Sequence, residues 1–165
     1  MSDSGTRDPR LDSLRELLSE PGDVADRRAG RWLEDHGGTT GRPWILHGAG
    51  NLGRKILEHI RETGQRVVAI TDGREALWGS EIEDLRVQPP LKALDKWGSE
   101  AAVLVSICNT NHAFRDTRDR LRAASEAPIL PVQGYFWRYP SVFLPYFGFD
   151  LPSTFLRAKE SLLKA

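Results

Sequence analysis

The strongest chemical signal in the sequence is a glycine-rich turn. Residues 48–53 match the pattern G-x-G-x-x-G, directly after an apolar run and directly before an amphipathic one. In this context the first glycine permits the tight turn, the second lets a phosphate approach the backbone, and the third lets the helix pack on the strand. Because N–H groups at a helix N-terminus face a bound anion, we predict a phosphate cradle formed by Gly48, Ala49, Gly50, Asn51, Leu52 and Gly53.

An acidic residue follows at the spacing that a ribose site requires. Asp72 lies 19 residues beyond Gly53, at the end of a second apolar run, 66–71. A carboxylate at this offset accepts hydrogen bonds from ribose hydroxyls and repels a 2′-phosphate, which favours an NAD-like dinucleotide or a nucleotide-sugar over NADP. Arg74 weakens that preference, because its side chain could turn to a phosphate. The alternative is that Asp72-Gly73 is a turn pair and that the glycines serve only helix packing.

A polar cluster follows the third apolar run, 101–107. Since ligands in this fold lie beyond the carboxyl ends of the strands, we predict that Asn109, Asn111 and His112 face the far half of the ligand. The alternative is that residues 109–111 form a turn and cap the next helix. Cys108 is expected to be a buried, inert thiol.

The remaining histidines carry no predicted chemistry. We expect His47 to be structural, and His36 and His59 to face solvent. We predict no metal site, since no histidine pair has the spacing of H-E-x-x-H. No catalytic residue is predicted in this chain.

Composition excludes several functional classes. The 165 residues carry 23 basic and 23 acidic side chains and one cysteine. A neutral chain is not typical of nucleic-acid binders, and a single cysteine excludes a disulfide framework. With no apolar run of spanning length and no signal peptide, we predict no membrane association, no nucleic-acid partner and a cytoplasmic location.

The elements that must position these residues alternate between strands and helices. Apolar strands are predicted at 43–47, 66–71, 101–107 and 128–132, and helices at 52–63, 91–97 and 114–124. Uniformly apolar strands indicate a parallel sheet that is covered on both faces. The predicted class is therefore α/β: a Rossmann-like parallel sheet with helices on both faces, preceded by a short helical arm. We predict an arm and linker over 1–42, a nucleotide-binding core over 43–134, and an aromatic segment with a terminal helix over 135–165.

Aromatic residues concentrate after the last strand. Eight of the 14 rings lie within 135–149. Two interpretations stay open: the rings form a satellite core with the N-terminal arm, or they form an interface for a partner domain or a homodimer.

Several of these segments occur together in a known family. The stretches 45–53, 67–72 and Trp78-Gly79, followed by Phe136-Trp137-Arg138-Tyr139-Pro140 and Phe143-Leu144-Pro145-Tyr146, resemble the N-terminal region of some FkbM-family methyltransferases over about 43–155. In that family SAM-dependent methyl transfer belongs to a separate domain that follows, and none of its residues has a matching position here. A similar glycine turn occurs in the nucleotide-sugar-binding domains of some sugar acyltransferases.

The resemblance implies an accessory module rather than a methyltransferase in its own right. We expect a Rossmann-like domain that binds a nucleotide or nucleotide-sugar and works with a SAM-dependent methyltransferase domain. The alternatives are a small NAD-dependent oxidoreductase and a ligand-free interaction domain.

Overall fold

A six-stranded, mostly parallel sheet forms the centre of the fold. The computed structural model describes residues 9–38, 41–147 and 150–162. The strands are β1 (Trp44–His47), β2 (Val67–Thr71), β3 (Glu81–Ile82), β4 (Leu85–Gln88), β5 (Ala102–Val105) and β6 (Ile129–Pro131). They lie in the order β3-β4-β2-β1-β5-β6, and only β3 and β4 run antiparallel. The predicted α/β class is confirmed, whereas β3 was missed because two residues without an apolar run give no strand pattern.

Helices connect the strands and extend the chain at both ends. They are α1 (Pro9–Ser19), α2 (Gly22–Asp35), α3 (Asn51–Glu62), α4 (Pro90–Trp97), α5 (Phe114–Arg122), α6 (Val132–Arg138), α7 (Pro140–Phe147) and α8 (Pro152–Leu162). A short 3₁₀ turn, Glu75–Leu77, follows β2. Among these helices none has the length and apolar character that a bilayer crossing requires.

The sheet is covered on both faces. One face carries a single buried cluster with residues of α4 and α5: Ile45, Ala69, Val103, Val105, Ala93, Leu94 and Leu121. The strand residues between them, Leu46, Ile70 and Leu104, are equally buried and point to the opposite face. There α3 packs against β1 and β2 and buries Ile56, Leu57 and Ile60. This arrangement requires crossovers in opposite directions from β1, which creates the switch point of the sheet.

Two compact units make up the chain. One comprises Met1–Arg31 with Phe136–Ala165, and the other comprises Trp32–Tyr135 and contains the sheet. Within the first unit, Phe136 and Phe143 are fully buried and stack with ring centroids 5.3 Å apart, and the Ser153 N–H donates to Asp26. These two rings of the aromatic segment therefore pack internally. Phe149, and Thr39 and Thr40 of the predicted linker, lie outside the described residues.

Candidate functional site

A cleft of about 620 Å³ opens at the carboxyl ends of three neighbouring strands. His47 at the end of β1 lies opposite Thr71 of β2 and Val105 of β5, so the residues that follow these strands meet at one edge. Of the predicted site residues, the cleft is lined by Gly48, Gly50, Asn51, Leu52, Asp72, Asn109, Asn111 and His112. Ala49 and Gly53 lie behind this lining, and both are buried. That these residues hold a ligand stays a prediction.

Two of the three glycines in the turn are required by packing. Gly48 has φ +124°, and a Cβ there would lie 2.8 Å from Ile107 and 2.9 Å from the Ser106 carbonyl oxygen. A Cβ on Gly53 would lie 1.9 Å from the carbonyl oxygen of Gly48. The Ser106 hydroxyl donates to that same oxygen at 3.0 Å. Both glycines therefore hold the β1–α3 turn against the end of β5.

Gly50 differs from its neighbours, because nothing in the fold requires a glycine there. Its backbone is extended (φ −81°, ψ −170°), and a Cβ would meet no atom within 4 Å. Gly50 is the N-cap of α3, where a side-chain cap such as serine or aspartate stabilises a helix more than glycine does. The bare backbone at Gly50 instead leaves open space that faces the cleft.

The N-terminus of α3 offers free donors to this space. No side chain in the described part of the chain caps the helix, and the N–H groups of Asn51, Leu52 and Gly53 have no acceptor there. The first intrahelical bond runs from the Arg54 N–H to the Gly50 carbonyl oxygen at 3.0 Å. Free N–H groups and the positive end of the helix dipole together attract an anion.

Asp72 connects β2 to the glycine turn. Its Oδ2 accepts the Ala49 N–H at 2.9 Å, and its Oδ1 accepts the Arg74 N–H at 2.9 Å. The Arg74 guanidinium donates to both oxygens, with Nε 3.0 Å from Oδ1 and Nη2 3.1 Å from Oδ2. Burial opposes the negative charge, but the bonds from Arg74 and from the two backbone N–H groups outweigh it and lower the pKa of Asp72 to about 2.

The carboxylate of Asp72 is therefore ionised and fully engaged. A carboxylate offers about four acceptor positions, and the four N–H donors described above fill them. The indole N–H of Trp78 donates to the Asp72 carbonyl oxygen at 2.8 Å and fixes the backbone at this point. A ribose hydroxyl that bound Asp72 would have to displace the guanidinium of Arg74, which is 66% exposed.

His47 lies at the base of the cleft. The side chain is buried, and its Nδ1 is 3.0 Å from the Thr71 hydroxyl, which donates in turn to the Leu46 carbonyl oxygen. The imidazole therefore donates from Nδ1. Burial, followed by the positive charge of Arg120, lowers the pKa of His47 to about 4, so the ring is neutral at pH 7. His47 is structural, as expected, and it also lines the cleft.

The segment after β5 forms the opposite wall. The Asn111 N–H donates to the side chain of Asn109 at 3.0 Å, which makes the predicted turn. The cap that the alternative interpretation included is wrong, because the N-cap of α5 is Ala113, without a side-chain bond to the helix. His112 is held by its Nε2, which lies 3.0 Å from the Thr117 hydroxyl.

Two smaller expectations are also corrected. Cys108 was expected to be buried, but its side chain is exposed in the cleft wall, and partial desolvation raises the pKa of the thiol. His59 was expected to face solvent, but it is half-buried, with its Nδ1 2.7 Å from the Tyr135 hydroxyl. Burial lowers the pKa of His59.

Sequence reasoning missed the arginine of the cleft. Arg120 projects from α5 into the lining, and its Nη2 lies 3.8 Å from the point where a Cβ on Gly73 would sit. Among the described residues it has no hydrogen-bond or ion-pair partner. The sequence holds one indication of this position. Thr117 and Arg120 are three residues apart, so they lie on the same face of α5, and both line the cleft.

Comparison with known proteins assigns no family. No family model matches the chain, and no curated protein matches it. Solved structures do match it, and three of them are RSP in complex with beta-NADH (22% identity, TM-score 0.44), RSP as a Rex-family repressor (17%, 0.42), and RSP in complex with beta-NAD+ and operator DNA (19%, 0.45). The matches cover 74%, 80% and 94% of this chain and 62%, 66% and 91% of the other. The chain thus spans less than two thirds of the first two, and such low identities and TM-scores assign it no ligand or partner.

The chemistry of the cleft is described by the donors and charges that line it. Within the ranges that the structure describes, no three His, Cys, Asp or Glu side chains are grouped as metal ligands. The cleft offers backbone N–H donors at α3, a neutralised Asp72–Arg74 pair, and the charge of Arg120, which has no partner among the residues that the structure describes.

Proposed function

We propose that this protein is a nucleotide-binding module whose cleft holds the phosphate and ribose of a nucleotide. The observation that carries the proposal is Gly50, a glycine that neither backbone conformation nor packing requires, placed where its bare backbone borders the cleft. A bound phosphate explains why residue 50 is a glycine, because a phosphate can contact the backbone only where no Cβ intervenes.

The donors around Gly50 support a phosphate as the occupant. Three N–H groups of α3, those of Asn51, Leu52 and Gly53, have no acceptor within the described ranges and point out of the helix N-terminus. An anion there gains charge-assisted hydrogen bonds and the favourable end of the helix dipole. Because His47 is neutral at pH 7, the base of the cleft presents an uncharged imidazole ring that can form hydrogen bonds.

The size of the cleft and its second wall support a ligand with more than one part. A volume of about 620 Å³ lies within the usual range for small-molecule and cofactor sites. Asn109, Asn111 and His112 form the wall across from the glycine turn, where the far half of an NAD-like dinucleotide or a nucleotide-sugar would lie. We keep both ligand classes, because both present a diphosphate and a ribose.

The experiment that tests this proposal uses Gly50→Ala. A methyl group at residue 50 meets no protein atom, so the variant folds, but it occupies the space through which a phosphate would reach the backbone. Isothermal titration calorimetry with ADP, NAD and a UDP-sugar is expected to give binding to the native chain for at least one ligand. We expect that affinity to fall at least about tenfold in Gly50→Ala.

A matched control is available in α2. Gly30→Ala also adds a methyl group without a clash, since the nearest atom would be 3.7 Å away, and Gly30 does not line the cleft. It should bind as the native chain does. If no nucleotide binds the native chain, or if Gly50→Ala binds as tightly, the proposal is wrong.

We further propose, from the resemblance to FkbM-family proteins alone, that the module serves a SAM-dependent methyltransferase domain. In the same titration, S-adenosylmethionine is expected to give no heat with this chain, because methyl transfer in that family belongs to another domain. Binding of S-adenosylmethionine in the cleft, lost in Gly50→Ala, would contradict an accessory role.

A further inference from the structure

We propose that the corner of the cleft around Gly73 binds a phosphate carried by a secondary ribose hydroxyl. The ligand would then be a nucleotide with one phosphate on the glycine turn and a second phosphate on the 2′ or 3′ position of its ribose. The inference rests on the proposed nucleotide site and specifies its substrate class. From the sequence alone, Asp72 favours a ribose without a 2′-phosphate, and the inference reverses that preference.

The first reason is that Asp72 has no acceptor left for a hydroxyl group. Its four acceptor positions receive the N–H groups of Ala49 and Arg74 and two donors of the Arg74 guanidinium. The bond from Ala49 also holds the turn between β1 and α3, so it cannot be given up without disturbing the phosphate cradle. An unmodified ribose would therefore have to break the contact with Arg74, which a ribose phosphate does not need to do.

The second reason is the charge of the corner. Arg74 neutralises Asp72, and the guanidinium of Arg120 remains without a carboxylate partner anywhere in the part of the chain that the structure describes. Asp72, Arg74 and Arg120 together carry a net charge of +1. Because two of these three side chains are cationic and line a cleft, an anion gains more here than a neutral hydroxyl group.

The third reason is that the Arg120 side chain extends from a distant helix to Gly73. Arg120 starts on α5, which follows β5, yet its Nη2 lies 3.8 Å from the Cβ position of Gly73, which follows β2. Since β1 lies between β5 and β2, the side chain spans the end of β1. Arg120 thus reaches Gly73 from a distant helix, whereas Arg74 directly follows Gly73 in the chain and is held on Asp72. Guanidinium groups bind phosphate oxygens in a bidentate manner, and those of Arg74 and Arg120 both line the cleft with Gly73.

The test compares three nucleotides that each carry two phosphates. ADP has both on the 5′ position, whereas adenosine 2′,5′-bisphosphate and adenosine 3′,5′-bisphosphate carry one on the ribose. Isothermal titration calorimetry is expected to show one bisphosphate binding the native chain at least about tenfold more tightly than ADP. The bisphosphate that binds more tightly identifies the ribose position.

Variants assign this difference to the arginines. Arg120→Gln should remove most of the advantage of the bisphosphate while ADP binding changes little. Arg74→Gln frees the two acceptor positions of Asp72 that the guanidinium occupies, so the preference should shift toward ADP. Arg122→Gln is the matched control, because Arg122 is an exposed arginine of the same helix that does not line the cleft, and its preference should equal that of the native chain.

The outcomes separate this inference from the proposed function. If ADP binds as tightly as both bisphosphates, or if Arg120→Gln keeps the native preference, the phosphorylated ribose is ruled out and the nucleotide site stands. If none of the three nucleotides, NAD or a UDP-sugar binds the native chain, the nucleotide site itself is overturned and this inference with it.

Discussion

At the scale of single residues, Asp72, which the sequence predicts as a ribose ligand, acts as a structural clamp that holds the glycine turn. Asp72 accepts the backbone N–H of Ala49 in the glycine turn and pairs with Arg74. Trp78, one of the residues that carry the FkbM resemblance, holds the Asp72 carbonyl oxygen. Asp72 therefore shapes the glycine turn whether or not it touches a ribose.

This clamp predicts how stability depends on Asp72. The pKa of Asp72 is lowered from 3.8 to about 2 in the folded protein, so its ionised form stabilises the fold above pH 3.8. Because Arg74 is largely in solvent, we expect Asp72→Asn to reduce the free energy of unfolding by only about 1–2 kcal/mol at pH 7. The deficit should shrink as the pH falls from about 4 toward 2, where the native carboxylate becomes protonated.

Urea denaturation at pH 7, 5 and 3 measures this effect. Asp84→Asn is the control, because Asp84 is an exposed acid that pairs with Arg61 at the surface, where ion pairs contribute little. Equal stability of Asp72→Asn and the native chain at pH 7 would contradict the clamp.

At the scale of elements, the glycine turn combines two functions that its sequence does not distinguish. Gly48 and Gly53 bring α3 against the ends of β1 and β5, whereas Gly50 leaves space at the cleft. All three glycines follow from one local pattern. Their different roles come from the register of β1 against β5, which places Ser106 and Ile107 beside Gly48.

The two kinds of glycine should respond differently to the same substitution. Gly53→Ala places a Cβ 1.9 Å from a backbone oxygen, so α3 must shift, at an expected cost of about 3 kcal/mol or more. Gly50→Ala should cost less than about 1 kcal/mol, since it changes only the N-cap residue. Thermal and urea denaturation without ligand measure both, and equal losses would contradict the assignment of Gly50 to a ligand.

At the scale of the whole molecule, a buried histidine links stability to pH. The pKa of His47 is lowered from 6.5 to about 4 in the fold, so below pH 6.5 the unfolded chain takes up a proton that the folded chain does not. His47 therefore lowers the free energy of unfolding as the pH falls from 6.5 to 4, by up to about 3 kcal/mol. Below about pH 4 both states are protonated and this effect levels off.

Urea denaturation between pH 7 and pH 4 tests this linkage. His47→Gln should be less stable at pH 7, since it loses a packed ring, but its stability should fall less steeply over this range. His36→Gln is the control, because His36 is exposed in the turn that follows α2. The Asp72 effect lies mainly below pH 4 and therefore adds little over this range. A slope in His47→Gln equal to the native slope would refute the assignment.

The sequence by itself determined the class of fold and the place of the cleft. Uniformly apolar strands, amphipathic helices and a glycine turn are local patterns, and the spacing from Gly53 to Asp72 needs only one β-α-β unit. These features were readable because each depends on neighbouring residues and on the repeat of a helix or strand. The two-residue β3 has no such repeat and was missed.

Only the tertiary structure decided which protein groups and charges line each part of the cleft. The pairing of Asp72 with Arg74 and Ala49, the empty space at Gly50, and the reach of Arg120 to Gly73 all depend on the register of the strands and on the crossing of α5. The physical reason is that charge neutralisation and open space are set by atoms that are distant in sequence. In the sequence, Asp72 favours an unmodified ribose. In the fold, Asp72 is paired with Arg74 and lies near Arg120, so this corner of the cleft carries a net positive charge.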